Sequence, residues 1–156
     1  MTTTIESRPA VHSTFRIERE FAATPARVFR AFADMEAKRR WFVEGEGWTV
    51  FEHSSDFRVG GREYSRFAFG DGPTVENETI FFDIVPEARL VFGYRMSVPA
   101  GQMSASLVTI ELAPRGRGTL LVQTEQGAYL DGSDDGTMRE AGWRELLEAL
   151  GREVEG

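Results

Sequence analysis

Cysteine is absent from this 156-residue chain, which excludes disulfides, thiol catalysis, iron–sulfur clusters and cysteine-based zinc sites. Lysine is nearly absent too, Lys38 being the only one among eighteen basic residues. Histidine occurs twice, at His12 and His53, with no carboxylates at a ligand-like spacing, so no metal is expected. No run of about eighteen apolar residues is present, and the opening MTTTIESRPAVHS lacks an apolar signal-peptide segment. No membrane insertion and a cytoplasmic location are therefore expected. Positive charge is outnumbered, giving a net charge of −7. That argues against nucleic acid or an anionic membrane surface as partner, since both need a basic face. The single basic run, Lys38-Arg39-Arg40, reads as a solvated helix face. G-x-S-x-G is missing, and nothing else suggests a Ser/His/Asp nucleophile.

What is present is an ordinary globular composition, 41% hydrophobic and 28% charged, with twelve phenylalanines. A chain of this length supports one domain with a sizeable core. Residues 1–12 read as a flexible polar tail and 13–156 as a single domain. Phe15, Ile17 and Phe21 alternate with polar residues in a first strand. Thr24 suits an N-cap and Pro25 the first helical position. Val28, Phe29, Phe32 and Met35 then form a helical stripe, and Asp34 can cap a second short helix, 35–42.

From residue 48 onward, short alternating segments are separated by turn signals: 48–53, 62–69, 78–85, 89–98, 103–112 and 119–125. That is the pattern of an antiparallel meander. In the third of these, Asp83 is expected to be exposed, opposite Ile80, Phe82 and Ile84. A polar linker, QGAYLDGSDDGT, leads to a helix opening at Thr137, where Thr137 and Glu140 have capping-box spacing. Met138, Trp143, Leu146, Leu147, Leu150 and Val154 form its apolar stripe, and Gly142 is expected to serve close packing beside Trp143. The order β-α-α-β₆-α leaves one sheet with an apolar face and one long amphipathic helix to cover it.

Several segments then resemble one family in order along the chain. TPARVFRAFADMEAKRRWF is similar to its first-helix motif and DFRVGGREYSRF to its Gly-Gly hairpin. DIVPEARLVFGY, VTIEL with GRGTLLV, and AGWRELLEAL resemble its later strands and closing helix. The family is the group like the C-terminal domain of the activator of heat-shock-protein-90 ATPase, within the START/Bet v 1-like (SRPBCC) superfamily. The resemblance covers about residues 13–152. It implies an α+β helix-grip fold: a curved seven-stranded antiparallel sheet around a long C-terminal helix, with two short helices after strand 1 and a cavity beneath. It implies no particular activity. Glu63 and Ser65 depart from the aromatic or aliphatic residues common at those positions, so a purely apolar cavity is not expected.

Gly60-Gly61 is read as a turn, since a strand follows it and a phosphate loop would need a helix N-terminus. In one register Glu63, Ser65, Phe67 and Phe69 face inward, with Leu121, Gln123 and Glu125 on the last strand. Ser104, Ser106, Val108, Ile110 and Leu112 then do so on the strand before. A slip of one residue turns all of these outward, so the direction of Glu63 and Glu125 stays open. If buried, each carboxylate needs a partner or a raised pKa, and Arg19, Arg66 and Arg95 are candidate partners. The candidate cavity set is Trp41, Phe42, Glu63, Ser65, Phe67, Phe69, Ser106, Gln123, Glu125, Trp143 and Leu147. Tyr129, in the loop before the last helix, is a candidate lid residue.

The leading functional expectation is binding of a small hydrophobic or amphipathic molecule, with no cofactor and no assigned catalytic residue. A cavity-based cyclase- or hydrolase-like enzyme and a chaperone-related interaction module are the alternatives. Homodimerisation is left open.

Overall fold

Local signals set the two short helices. The computed structural model describes residues 9–156; the first eight residues of the expected tail lie outside them. Strand β1 spans Val11–Phe21, so it begins inside the segment expected as tail. Helix α1, Pro25–Ala33, is capped by Thr24, whose hydroxyl accepts the Arg27 N–H at 3.2 Å. Asp34 ends α1 and caps α2, Met35–Phe42, by accepting the Glu36 N–H at 3.1 Å. Trp41 Nε1 donates to the Ala31 carbonyl at 2.8 Å and ties the two helices together.

Six further strands follow: β2 Trp48–Ser55, β3 Arg62–Phe69, β4 Val75–Val85, β5 Arg89–Val98, β6 Gly101–Arg115 and β7 Gly118–Tyr129. They form one antiparallel sheet in the order β1-β7-β6-β5-β4-β3-β2. Consecutive hairpins account for β2 to β7, and β1 joins the far edge by pairing with β7 from Val11↔Tyr129 to Phe21↔Thr119. Helix α3, Thr137–Glu155, covers the apolar face with Trp143, Leu147, Leu150 and Val154 buried. Phe15, Ile17, Phe92, Val108, Ile110 and Leu121 meet it in a core shared with Val28, Phe32 and Trp41. The result is the α+β helix-grip arrangement.

The paired glycines have separate reasons. Gly60 adopts φ +82°, where side chains are strained. A Cβ on Gly61 would lie 2.0 Å from the Asp56 carbonyl oxygen. The turn is stitched to β4 by Gly60 N–H to Phe81 O at 2.8 Å and Phe81 N–H to Gly61 O at 3.1 Å.

Four local expectations need correction. The pairing of β4 with β5 slips between Phe81 and Asp83. Asn77, Thr79 and Phe81 are buried ahead of that slip, so Ile80 and Phe82 lie on the opposite face, and beyond it Ile84 packs against the core; the expected Ile80/Phe82/Ile84 face does not form. Asp83 is partly covered and accepts from Arg89 Nε at 2.6 Å. The supposed linker is shorter than expected, because β7 runs to Tyr129 and buries it. The capping box does not form: Gly136 is the N-cap, and the Asp134 carboxylate accepts the N–H groups of Met138 at 3.1 Å and Arg139 at 2.9 Å. Finally, Gly142 is not packed closely, since a Cβ there meets nothing within 4 Å.

Candidate functional site

Period-two alternation on β3 brings Glu63 and Ser65 to the covered face, 3% and 2% exposed. On α2, Lys38 stands three and four residues before Trp41 and Phe42, which puts all three on neighbouring positions of one helix face. Lys38 is 5% exposed, so the solvated-face reading fails for it. Its Nζ donates to Glu63 Oε1 at 2.7 Å, and His53 Nε2 lies 3.3 Å from Oε2. Ser55 on β2 adds a hydroxyl at 3.4 Å. The rings of Phe42, Phe81 and Phe92 surround the ammonium at 4.7, 5.8 and 5.9 Å. Burial alone would push the Glu63 carboxyl up, but the Lys38 charge and the hydrogen bonds from His53 and Lys38 outweigh it. Glu63 is held below the ordinary carboxylate range. The cluster is a closed ion pair.

Glu125 is also fully covered, on β7. Its surroundings differ in kind. Tyr94 on β5 donates its hydroxyl to Oε2 at 2.8 Å, and Oε1 has no hydrogen-bond partner among the described residues. The nearest cation, Arg139 of α3, has Nη1 3.9 Å from Oε2 and donates instead to Tyr94 Oη at 3.0 Å and Ser104 Oγ at 2.8 Å. Trp143 Nε1 also donates to Tyr94 Oη, at 3.3 Å. Burial therefore prevails, only partly offset by the Tyr94 hydrogen bond and the Arg139 charge, and the Glu125 carboxyl is pushed up to about 7. Gln123 and Ser106, on the same face, are buried with their side-chain polar atoms unpaired among the described residues. The expected arginine partners are engaged elsewhere. Arg19 faces Glu148 at 3.1 Å, Arg66 faces Glu52 at 4.0 Å, and Arg95 pairs with Glu78.

Between α2, α3 and the strands lies a groove of about 590 Å³. Trp41, Phe42, Trp48, Phe67 and Trp143 give it aromatic walls, and Met96, Met103 and Met138 add thioethers. Asn77, Tyr94 and Arg139 supply polar groups, and Gly142 opens directly onto it. Of the candidate set, Trp41, Phe42, Phe67 and Trp143 line this groove. Glu63, Ser65, Ser106, Gln123, Glu125 and Leu147 are buried but outside its lining, and Glu125 is linked to it by the hydrogen bond from Tyr94 and by Arg139 at 3.9 Å. Phe69 continues the Phe67 face but, as the last residue of β3, is 58% exposed, its ring tilted against Trp48 at 5.0 Å. Tyr129, buried at the end of β7, is not placed as a lid.

Sequence reasoning missed Lys38, Tyr94, Arg139 and Trp48. Signals existed for three of them. Tyr94 continues the Leu90, Phe92 alternation; Arg139 stands four residues before Trp143; and Lys38 has the spacing just described.

An open antiparallel sheet clasping a C-terminal helix over an aromatic groove defines a helix-grip protein of the START/Bet v 1-like kind. The sequence pattern of "Activator of Hsp90 ATPase homolog 1-like protein" matches residues 22–155, and the chain belongs to that family. A protein from Rhizobium loti is 54% identical over 94% of this chain and 99% of its own, with a TM-score of 0.86. One from Rhizobium leguminosarum is 39% identical over 96% and 99%, with a TM-score of 0.91. One from Chromobacterium violaceum is 33% identical over 92% and 97%, with a TM-score of 0.76. No functionally curated protein matches the sequence. Among the described residues, no helix is long and apolar enough to cross a membrane.

Proposed function

We propose that this protein binds a small, mainly apolar molecule in the groove between the sheet and α3. The observation that carries the reading is the groove itself, about 590 Å³ with six aromatic side chains, Tyr94 included, and a few polar groups on its walls. Ligand sites are of this size and composition: apolar walls supply affinity, and sparse polar groups set orientation. Native mass spectrometry of freshly purified protein tests it. The expected spectrum contains a species heavier than the 17.5 kDa chain that denaturation returns to the bare mass. A bare chain that also shows no rise in Tm with any of a panel of apolar ring compounds would count decisively against it.

A second reading places a reaction in the same groove. It is favoured by one group, Glu125, a buried carboxyl raised to about 7 and linked to the groove by the Tyr94 hydroxyl. Such a group can exchange a proton near neutrality. Glu63, held by Lys38 and His53, is not available to act as its partner acid or base. For a substrate with measured turnover, Glu125→Gln is expected to abolish turnover while leaving binding in place. Unchanged turnover removes this reading and leaves the first intact.

A further inference from the structure

Charge in the groove is unevenly distributed, and burial decides which charge a ligand would feel. Glu44, Glu46, Glu145 and Arg152 line the mouth but are exposed, where water and salt screen them. Glu44 is in addition paired with Arg39 at 2.8 Å. Asp134 is committed to the first turn of α3, where it accepts backbone N–H groups. Arg139 is different. Its side chain is 12% exposed and it stacks over Tyr94 and Tyr129 at 5.5 and 5.4 Å. Among the described residues, both of its side-chain hydrogen bonds go to neutral hydroxyls, and its nearest carboxylate is 3.9 Å away and already bonded to Tyr94. A guanidinium carries five N–H donors in a planar fork, so two hydroxyl partners leave donors over. A covered guanidinium without a directly bonded anion favours one, and a carboxylate matches its fork.

We infer that the groove's ligand is a ring-bearing apolar monocarboxylate, seated with its ring system among Trp41, Phe42, Trp48, Phe67 and Trp143 and its carboxylate on Arg139. This rests on the groove-binding reading above and names the class of molecule. Arg139 is the one covered cation among the groove's lining residues, so the site matches one anionic group rather than several. The neutral hydroxyls of Tyr94 and Ser104 hold the guanidinium in place without neutralising it.

Isothermal titration calorimetry with three probes of one shape tests the inference: 2-naphthoate, 2-naphthamide and 2-naphthylmethylammonium. The carboxylate is expected to bind at least tenfold more tightly than the amide, with the ammonium weakest. Arg139→Gln, which keeps donors for Tyr94 and Ser104 but removes the charge, is expected to erase the preference of carboxylate over amide. Circular dichroism of this variant checks that it folds. A variant that does not fold leaves the ranking of the three probes on the native protein to decide. Amide or ammonium binding as tightly as the carboxylate, or a preference surviving in the folded variant, overturns the carboxylate assignment while the groove reading stands. No binding by any of the three overturns both.

Discussion

Glu63 and Glu125 are both almost completely buried, the first facing α2 and the second α3, yet their pKa values are shifted in opposite directions. The difference comes from the partner's distance and kind. Glu63 has an ammonium in direct contact at 2.7 Å and an imidazole at 3.3 Å; Glu125 has a phenol in contact and its nearest cation at 3.9 Å. Desolvation penalises both ions, and only the first recovers that cost through a bonded charge. The Glu63 cluster is thereby locked and the Glu125 cluster left responsive, and the groove reaches the second through Tyr94 and Arg139.

The largest expected effect comes from breaking the lock. Lys38→Met leaves Glu63 buried without its cation and is expected to cost about 3–5 kcal/mol in denaturant unfolding. The double variant Lys38→Met with Glu63→Leu should recover most of that loss, since it removes both charges. A small effect of the single variant would mean that Glu63 is not held as an ion.

Next in size is the pH dependence that Glu125 confers. Its folded pKa, about 7, lies above the ordinary 4.5, so the folded state holds a proton that the unfolded state releases. Its contribution to stability is complete below about pH 4.5 and is lost as pH rises through 7, by roughly 3 kcal/mol at most. Glu125→Gln should flatten that decline, read as the difference between the two proteins' stability–pH curves. Glu63 has the opposite sign: lowered in the fold, it stabilises above its unfolded pKa and loses that contribution as pH falls through its folded value.

Asp134→Ala removes the acceptor for the first N–H groups of α3, beside Arg139, and should cost about 1–2 kcal/mol by thermal or denaturant unfolding. Smallest is Gly142→Ala, expected to stabilise by about 1 kcal/mol because a helical glycine is replaced where its new methyl meets open groove. A loss instead would mean that the groove is closed at that point.

The fold was readable because its signals are local and repeated. Thr24-Pro25 and Asp34 set helix starts, turn residues divide the meander, and Trp143 to Val154 mark a helix that needs a sheet to cover. What failed was phase and partnership. Ile80 and Phe82 lie on the outer face of β4, only Ile84 beyond the slip reaching the core, and a carboxylate three residues upstream took over the capping role read for Thr137. Alternation put Glu63 and Glu125 on one side of their strands but did not say which side was covered. It also gave no way to see that Lys38, the only lysine, turns inward to Glu63, or that Arg139 reaches across to Tyr94 and Ser104. Those contacts join residues far apart in the chain, and pairings of that kind depend on how α2 and α3 settle on the sheet.

The most direct test of this contrast is a carbon-13 NMR titration of the two side-chain carboxyl carbons. Glu125 is expected to titrate with a midpoint near 7, and Glu63 to remain ionised well into the acid range, below the ordinary glutamate value. Coincident midpoints near 4.5, or a Glu125 already ionised at pH 5, would contradict it.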